Sequence, residues 1–228
     1  MKRKKMAVVG MLGGLLFAAG DLLVYLVPGY HGGASIYADW QGMSMLRFAA
    51  CMYLGCIGGV LLLVGFYSLH CIAADVCKSS GKAVMLIIAS GIILTPIGHF
   101  IIACITPMTY KAAISAGLGS ETALAMSGFW SPYIGPVKVY VMVVVILLQS
   151  VFMVYLIGSK KINCPKWMAI LNPVGFILVS IPVSILLSGT GMEGIAEAFE
   201  SLGEGAMYLA VYTHWKRSQN LDVQPLLN

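Results

Sequence analysis

The chain has 228 residues, of which 59% are apolar and 10% charged, against about 45–50% and about 25% in soluble globular domains. A soluble single domain is excluded. The formal charge of +5 does not point to nucleic acid, because the basic residues sit in short groups between apolar blocks rather than in one patch.

Those blocks are about 20 residues long, enough to cross a roughly 30 Å hydrocarbon layer. In chain order they predict membrane spans over 6–27, 48–69, 83–106, 136–158, 167–188 and 191–213, so that 1–228 is a single all-α transmembrane domain. MKRKK at the start resembles a secretory n-region, but the apolar run continues through Gly20 and Asp21 to Val27. That is too long for a cleaved signal, and a retained first span is expected. The loop 28–47 is rich in aromatic residues, and Tyr30, Tyr37 and Trp40 suit an interfacial belt. The weaker stretch 108–129 reads as an outer interfacial helix or, alternatively, a seventh span.

Charge placement chooses between these. With six spans, Lys2, Arg3, Lys4, Lys5, Lys78, Lys82, Lys160, Lys161, Lys166, Lys216 and Arg217 fall on the cytoplasmic side, and only Arg47, Lys111 and Lys138 fall outside. Seven spans would divide them evenly. The positive-inside bias therefore favours six spans in the plasma membrane with both termini cytoplasmic.

Packing signals follow. Gly10 and Gly14, and Gly55 and Gly59, have GxxxG spacing and predict close helix contact within the bundle. Pro96, Pro173 and Pro182 remove backbone donors and predict kinks. The six cysteines show no CxxC or Cys/His ligand spacing, so they are expected to pack as small apolar residues rather than bind structural zinc.

Ionisable groups at membrane depth are costly and are functional candidates by default. Glu193, Glu197, Glu200 and Glu204 are spaced 4, 3 and 4 residues apart, at about 0°, 40°, −20° and 20° around an ideal helix. They form one stripe, which faces either external water or a polar cavity inside the bundle. In the six-span layout Asp21 and His99 share the depth of Glu193, Glu197 and Glu200, while Glu204, Gln149 and Asn172 lie deeper. So many carboxylates need protons, partners or a cation. Arg47 and His99 are the nearest counter-groups by sequence position. These eight residues, Asp21, His99, Glu193, Glu197, Glu200, Glu204, Asn172 and Gln149, are the candidate ligand-binding set. Asp, Glu and His also suit a divalent metal, although no HExxH-type motif is present. His70 and His214 fit helix ends, and His31 fits a loop.

Gly20-Asp21 with the following Leu-Leu-Val-Tyr, Trp40 ahead of Arg47, Gly98-His99-Phe100, Pro165-x-Trp167 and Asn172-Pro173 together resemble a family of bacterial polytopic membrane proteins of unknown function. The resemblance spans nearly the whole chain. Its last helix departs from the family pattern, carrying the glutamate stripe where an Asn-containing, Gly-rich stretch is usual. The resemblance implies no activity and no cofactor. Three classes of function fit these residues: binding or transport of a cation or small ligand at an outward-facing acidic cavity, an intramembrane enzyme acting on a lipid or hydrophobic substrate, and an accessory membrane subunit. The expected partners are the lipid bilayer and a cation or small hydrophobic ligand, not nucleic acid.

Overall fold

The computed structural model describes residues 2–27 and 36–221, and every element among them is helical. The protein is an all-α bundle. Helix α1 is Lys2–Tyr25, α2 is Ile36–Gln41, α3 is Met45–Val76 and α4 is Ser79–His99. Helix α4 runs on through a π-helical turn, Phe100–Ile105, into α5, Thr106–Ser115. Then come α6 (Ser120–Gly128), α7 (Ser131–Val141), a second π segment (Met142–Leu148) and α8 (Gln149–Gly158). The described residues end with α9 (Pro173–Leu187) and α10 (Phe199–Leu221), preceded by 3₁₀ turns at Lys166–Ile170 and Glu193–Ala198 respectively.

Among the described residues, four stretches are long and apolar enough to cross a membrane: Lys2–Tyr25, Met45–Val76, Ser79–Ser115 and Ser131–Gly158. These cover the first four expected spans. The last two expected spans begin differently. Asn172 stands in extended backbone and its side chain accepts the Gly175 N–H at 3.0 Å, capping α9 with Pro173 in its first turn. Asn-Pro is therefore a helix start rather than a break within a span, as the preference of Asn for N-caps and Pro for N1 dictates. Farther on, Gly189 and Gly191 adopt positive φ angles of 76° and 74°, and the chain forms a 3₁₀ turn before α10 begins at Phe199.

The segment 108–129 is not one helix. Residues 116–119 separate α5 from α6, and Gly117 takes the left-handed φ of 82° that the turn requires. The nine residues of α6 reach only about 14 Å, well short of a crossing.

Small residues set the centre of the bundle. A Cβ on Gly14 would fall on the backbone of Gly205 in α10, and one on Gly65 would fall on the backbone of Gly10. Helices α1, α3 and α10 thus touch backbone to backbone, and the GxxxG face of α1 is used inside the molecule. Gly55 and Gly59 serve a different contact: added Cβ atoms there would strike the His99 ring and the Pro96 ring. The buried Tyr208 hydroxyl donates to the Leu62 carbonyl at 3.1 Å, tying α10 to α3. One apolar core, including Leu69, Ile72, Ile88, Leu156 and Met207, fills one end of the bundle. A second, with Val24, Trp40, Phe48, Cys51 and Cys104, fills the other.

Trp40 belongs to that second core. It is 5% exposed, its ring stands edge-on to Phe48, and its indole N–H donates to the Val24 carbonyl at 3.4 Å. An interfacial belt at this position is replaced by core packing, since a buried indole needs a partner and the end of α1 supplies one. Tyr30, His31 and the side chain of Tyr37 lie outside the described residues.

Candidate functional site: an acid-lined cavity

Asp21 occupies the last turns of α1, where Gly20 lets α3 approach closely. It is 8% exposed. The Ser201 hydroxyl donates to Asp21 Oδ2 at 2.5 Å, and Asp21 Oδ1 lies 3.5 Å from His99 Nδ1. Three helices distant in sequence therefore meet at one carboxylate. Phe17, one turn before Asp21, places its ring edge-on to His99 with centroids 4.6 Å apart. Gly55 leaves the space the imidazole fills.

Beside this group opens a cavity of about 310 Å³. Asp21, His99, Glu197, Glu200, Ser201 and Thr95 line it, together with Lys138 from α7. A smaller space of about 30 Å³ continues inward between Thr95, Glu200, Ser201 and Glu204. Gln149 donates from its amide to Glu204 Oε2 at 2.8 Å and to the Met207 sulfur at 3.3 Å. Glu204 Oε1 and Gln149 Oε1 are buried without a hydrogen-bond partner. Buried acceptors of this kind cost about 1–3 kcal/mol each.

Of the eight candidate residues, four line the larger cavity, Glu204 lines its inner extension and Gln149 holds Glu204. Glu193 and Asn172 do not join them. The Glu193 carboxylate instead accepts the Gly189 N–H at 2.5 Å. The stripe assumed about 100° per residue throughout, whereas the 3₁₀ turn at Glu193–Ala198 winds at about 120° and rotates Glu193 away. Asn172 spends both ends of its amide on backbone, accepting from Gly175 and donating to Ala169.

Two cations exchange roles relative to the sequence reading. Arg47 donates to the Leu26 and Leu22 carbonyls, capping the C-terminal end of α1, where the helix dipole favours positive charge. Lys138, whose place at the cavity no local pattern announces, lines it. Three carboxyls against one ammonium leave the cavity acidic.

Two thiols complete the surroundings of His99. Cys51 Sγ lies 3.2 Å from His99 Nε2, and ligand atoms of Cys51, His99 and Cys104 all lie within 4.8 Å of one another. Residue spacing alone carries no sign of this trio. Of the other histidines, His70 stacks on Tyr67, and His214 accepts the Asn163 N–H at Nδ1 at 2.9 Å. Burial holds the His214 pKa below its ordinary value.

The chain belongs to a family of unknown function, DUF6796, whose model matches residues 1–218. Neither the curated proteins nor the solved structures contain a match.

Proposed function

We propose that this is a six-span protein of the plasma membrane, with both termini cytoplasmic, that binds or transports a cation or small cationic ligand at its outward-facing acidic cavity. The observation that carries the reading is the convergence of Asp21, Glu197 and Glu200 from opposite ends of the chain onto one space of about 310 Å³ whose described lining includes one ammonium, that of Lys138. Three carboxyl groups facing one space need protons, partners or a positive guest, and a bound cation meets that need. The volume falls at the lower end of small-molecule pockets, about 300–1,000 Å³.

The test is isothermal titration of the detergent-purified protein with mono- and divalent cations and small organic amines, followed by uptake in proteoliposomes. Saturable binding that weakens in Glu197→Gln/Glu200→Gln is expected. Binding that is unchanged in that variant overturns the reading.

A further inference from the structure

His99 has two polar neighbours on opposite ring nitrogens, and the acidic cavity accounts for only one of them. Its Nδ1 side faces Asp21 at 3.5 Å. Its Nε2 side faces the Cys51 sulfur at 3.2 Å, with Cys104 in the same cluster. We propose that Cys51, His99 and Cys104 form a binding site for a soft divalent metal ion, Zn²⁺ foremost, in which Asp21 positions the histidine.

The backbone explains how such a site arises without a local motif. His99 and Cys104 are five residues apart, which on an α-helix places them about 140° from each other. Between them the chain is π-helical over Phe100–Ile105, and the Thr106 N–H bonds to the Ile101 carbonyl five residues back. The slower winding of a π turn brings positions i and i+5 toward one face, and such turns are frequent at functional sites. Helix α3 then supplies Cys51, held close because Gly55 and Gly59 admit the His99 and Pro96 rings.

Geometry and charge both fit. Tetrahedral zinc with Zn–S near 2.3 Å and Zn–N near 2.0–2.1 Å needs ligand atoms about 3.6–3.8 Å apart. The separations here, from 3.2 Å up to at most 4.8 Å, bracket that range. Two thiolates and a neutral imidazole around a divalent ion sum to zero charge, the state that costs least inside an apolar bundle. A carboxylate on the second nitrogen of a ligating histidine, itself held by a hydrogen bond, is the usual outer support of such a ligand. Here Asp21 takes that place and Ser201 holds Asp21 at 2.5 Å. His99 and Ala103, the residue before Cys104, line the larger cavity, so the site lies against it.

Cys51, His99 and Asp21 also satisfy the order nucleophile, base, orienting acid. That reading fails on access, because Cys51 is 0% exposed and is not part of the cavity lining. A metal with three protein ligands keeps a fourth position for water or another donor.

The experiment is Co²⁺ loading of chelator-stripped, detergent-purified protein, followed by absorption spectroscopy, metal analysis and competition with Zn²⁺. One Co²⁺ per chain is expected, with thiolate-to-cobalt charge-transfer absorption and the intense visible bands of a tetrahedral site. Cys51→Ser/Cys104→Ser should lose the charge-transfer band. Asp21→Asn should keep the band but bind about 10–100-fold more weakly. Wild-type protein that takes up no Co²⁺, or takes it up without a thiolate band, overturns the proposal, as does an unchanged spectrum in the double serine variant. The wild-type spectrum decides alone if that variant does not fold. Glu197→Gln/Glu200→Gln should keep the thiolate band, so failure of the acidic cavity and failure of the metal site are read separately.

Discussion

Near the start of α10, Glu204, one turn beyond the exposed Glu200, is carried into the bundle at 6% exposure and has Gln149 as its hydrogen-bond donor. Toward the other end of the same helix, Lys4 and Arg3 of α1 lie over the Tyr212 and Trp215 rings at 5.4 and 5.1 Å. There Arg3 also meets Asp75 at 3.4 Å, with both side chains at least half exposed. The difference teaches where charge in this protein is expensive. At the basic end water shares the load, and removing a partner leaves a solvated group. At the acidic end each removed partner leaves a buried polar atom that nothing replaces.

The contrast is broken most severely by filling the glycine contact that holds α1 against α10. Gly14→Leu places a side chain on the Gly205 backbone and should cost about 3 kcal/mol or more, abolishing a monodisperse peak in size-exclusion chromatography. Removing acid ligands comes next. Asp21→Asn combined with Glu200→Gln should weaken cation binding about 100-fold or more, read by titration calorimetry, because each lost charged contact is worth about 1.5–3 kcal/mol.

A double-mutant cycle sharpens the comparison at Gln149 and Glu204. Gln149→Leu alone should destabilise by about 1–3 kcal/mol, and adding Glu204→Leu should restore part of that loss in thermal melts, because both buried polar groups are then gone. The equivalent cycle on Arg3 and Asp75 should return about 0–1 kcal/mol. The smallest effect is a pH response at the polar end of α10. Only neutral His214 can accept the Asn163 N–H, and its pKa is lowered by burial. Its contribution is therefore present above the ordinary histidine pKa of about 6.5 and is lost as pH falls below it. A protection factor at the Asn163 amide, taken relative to its intrinsic exchange rate, that falls on acidification, with no such fall in His214→Ala, is the expected signature.

The four long apolar helices were legible because apolar length is read directly from the residues, and a 20-residue run needs no tertiary information. Helix phase was less legible. Asn172-Pro173 and the two left-handed glycines at 189 and 191 carry the local start and stop signals, but a continuous apolar background hides them from a hydropathy reading. Asp21, His99, Glu197 and Glu200 could be grouped in advance, since depth along a span and angle around it are both arithmetic. Lys138 could not, because the positive-inside count assigns a lysine to a side and says nothing of what it faces. Nor could the thiols: Cys51 is 48 residues from His99, and the π turn that brings Cys104 round leaves no mark in the spacing.

The glycine contacts have a mechanical consequence. Backbone packed on backbone has no rotamers to adjust, so α1, α3 and α10 are coupled as a unit, and α4 is keyed to that unit where the Pro96 and His99 rings sit over Gly59 and Gly55. Another wall of the cavity is α7, which buries none of its own residues and runs into the π segment at Met142–Leu148. A change in the position of α7 is therefore also a change in the distance between the Lys138 ammonium and the acids opposite.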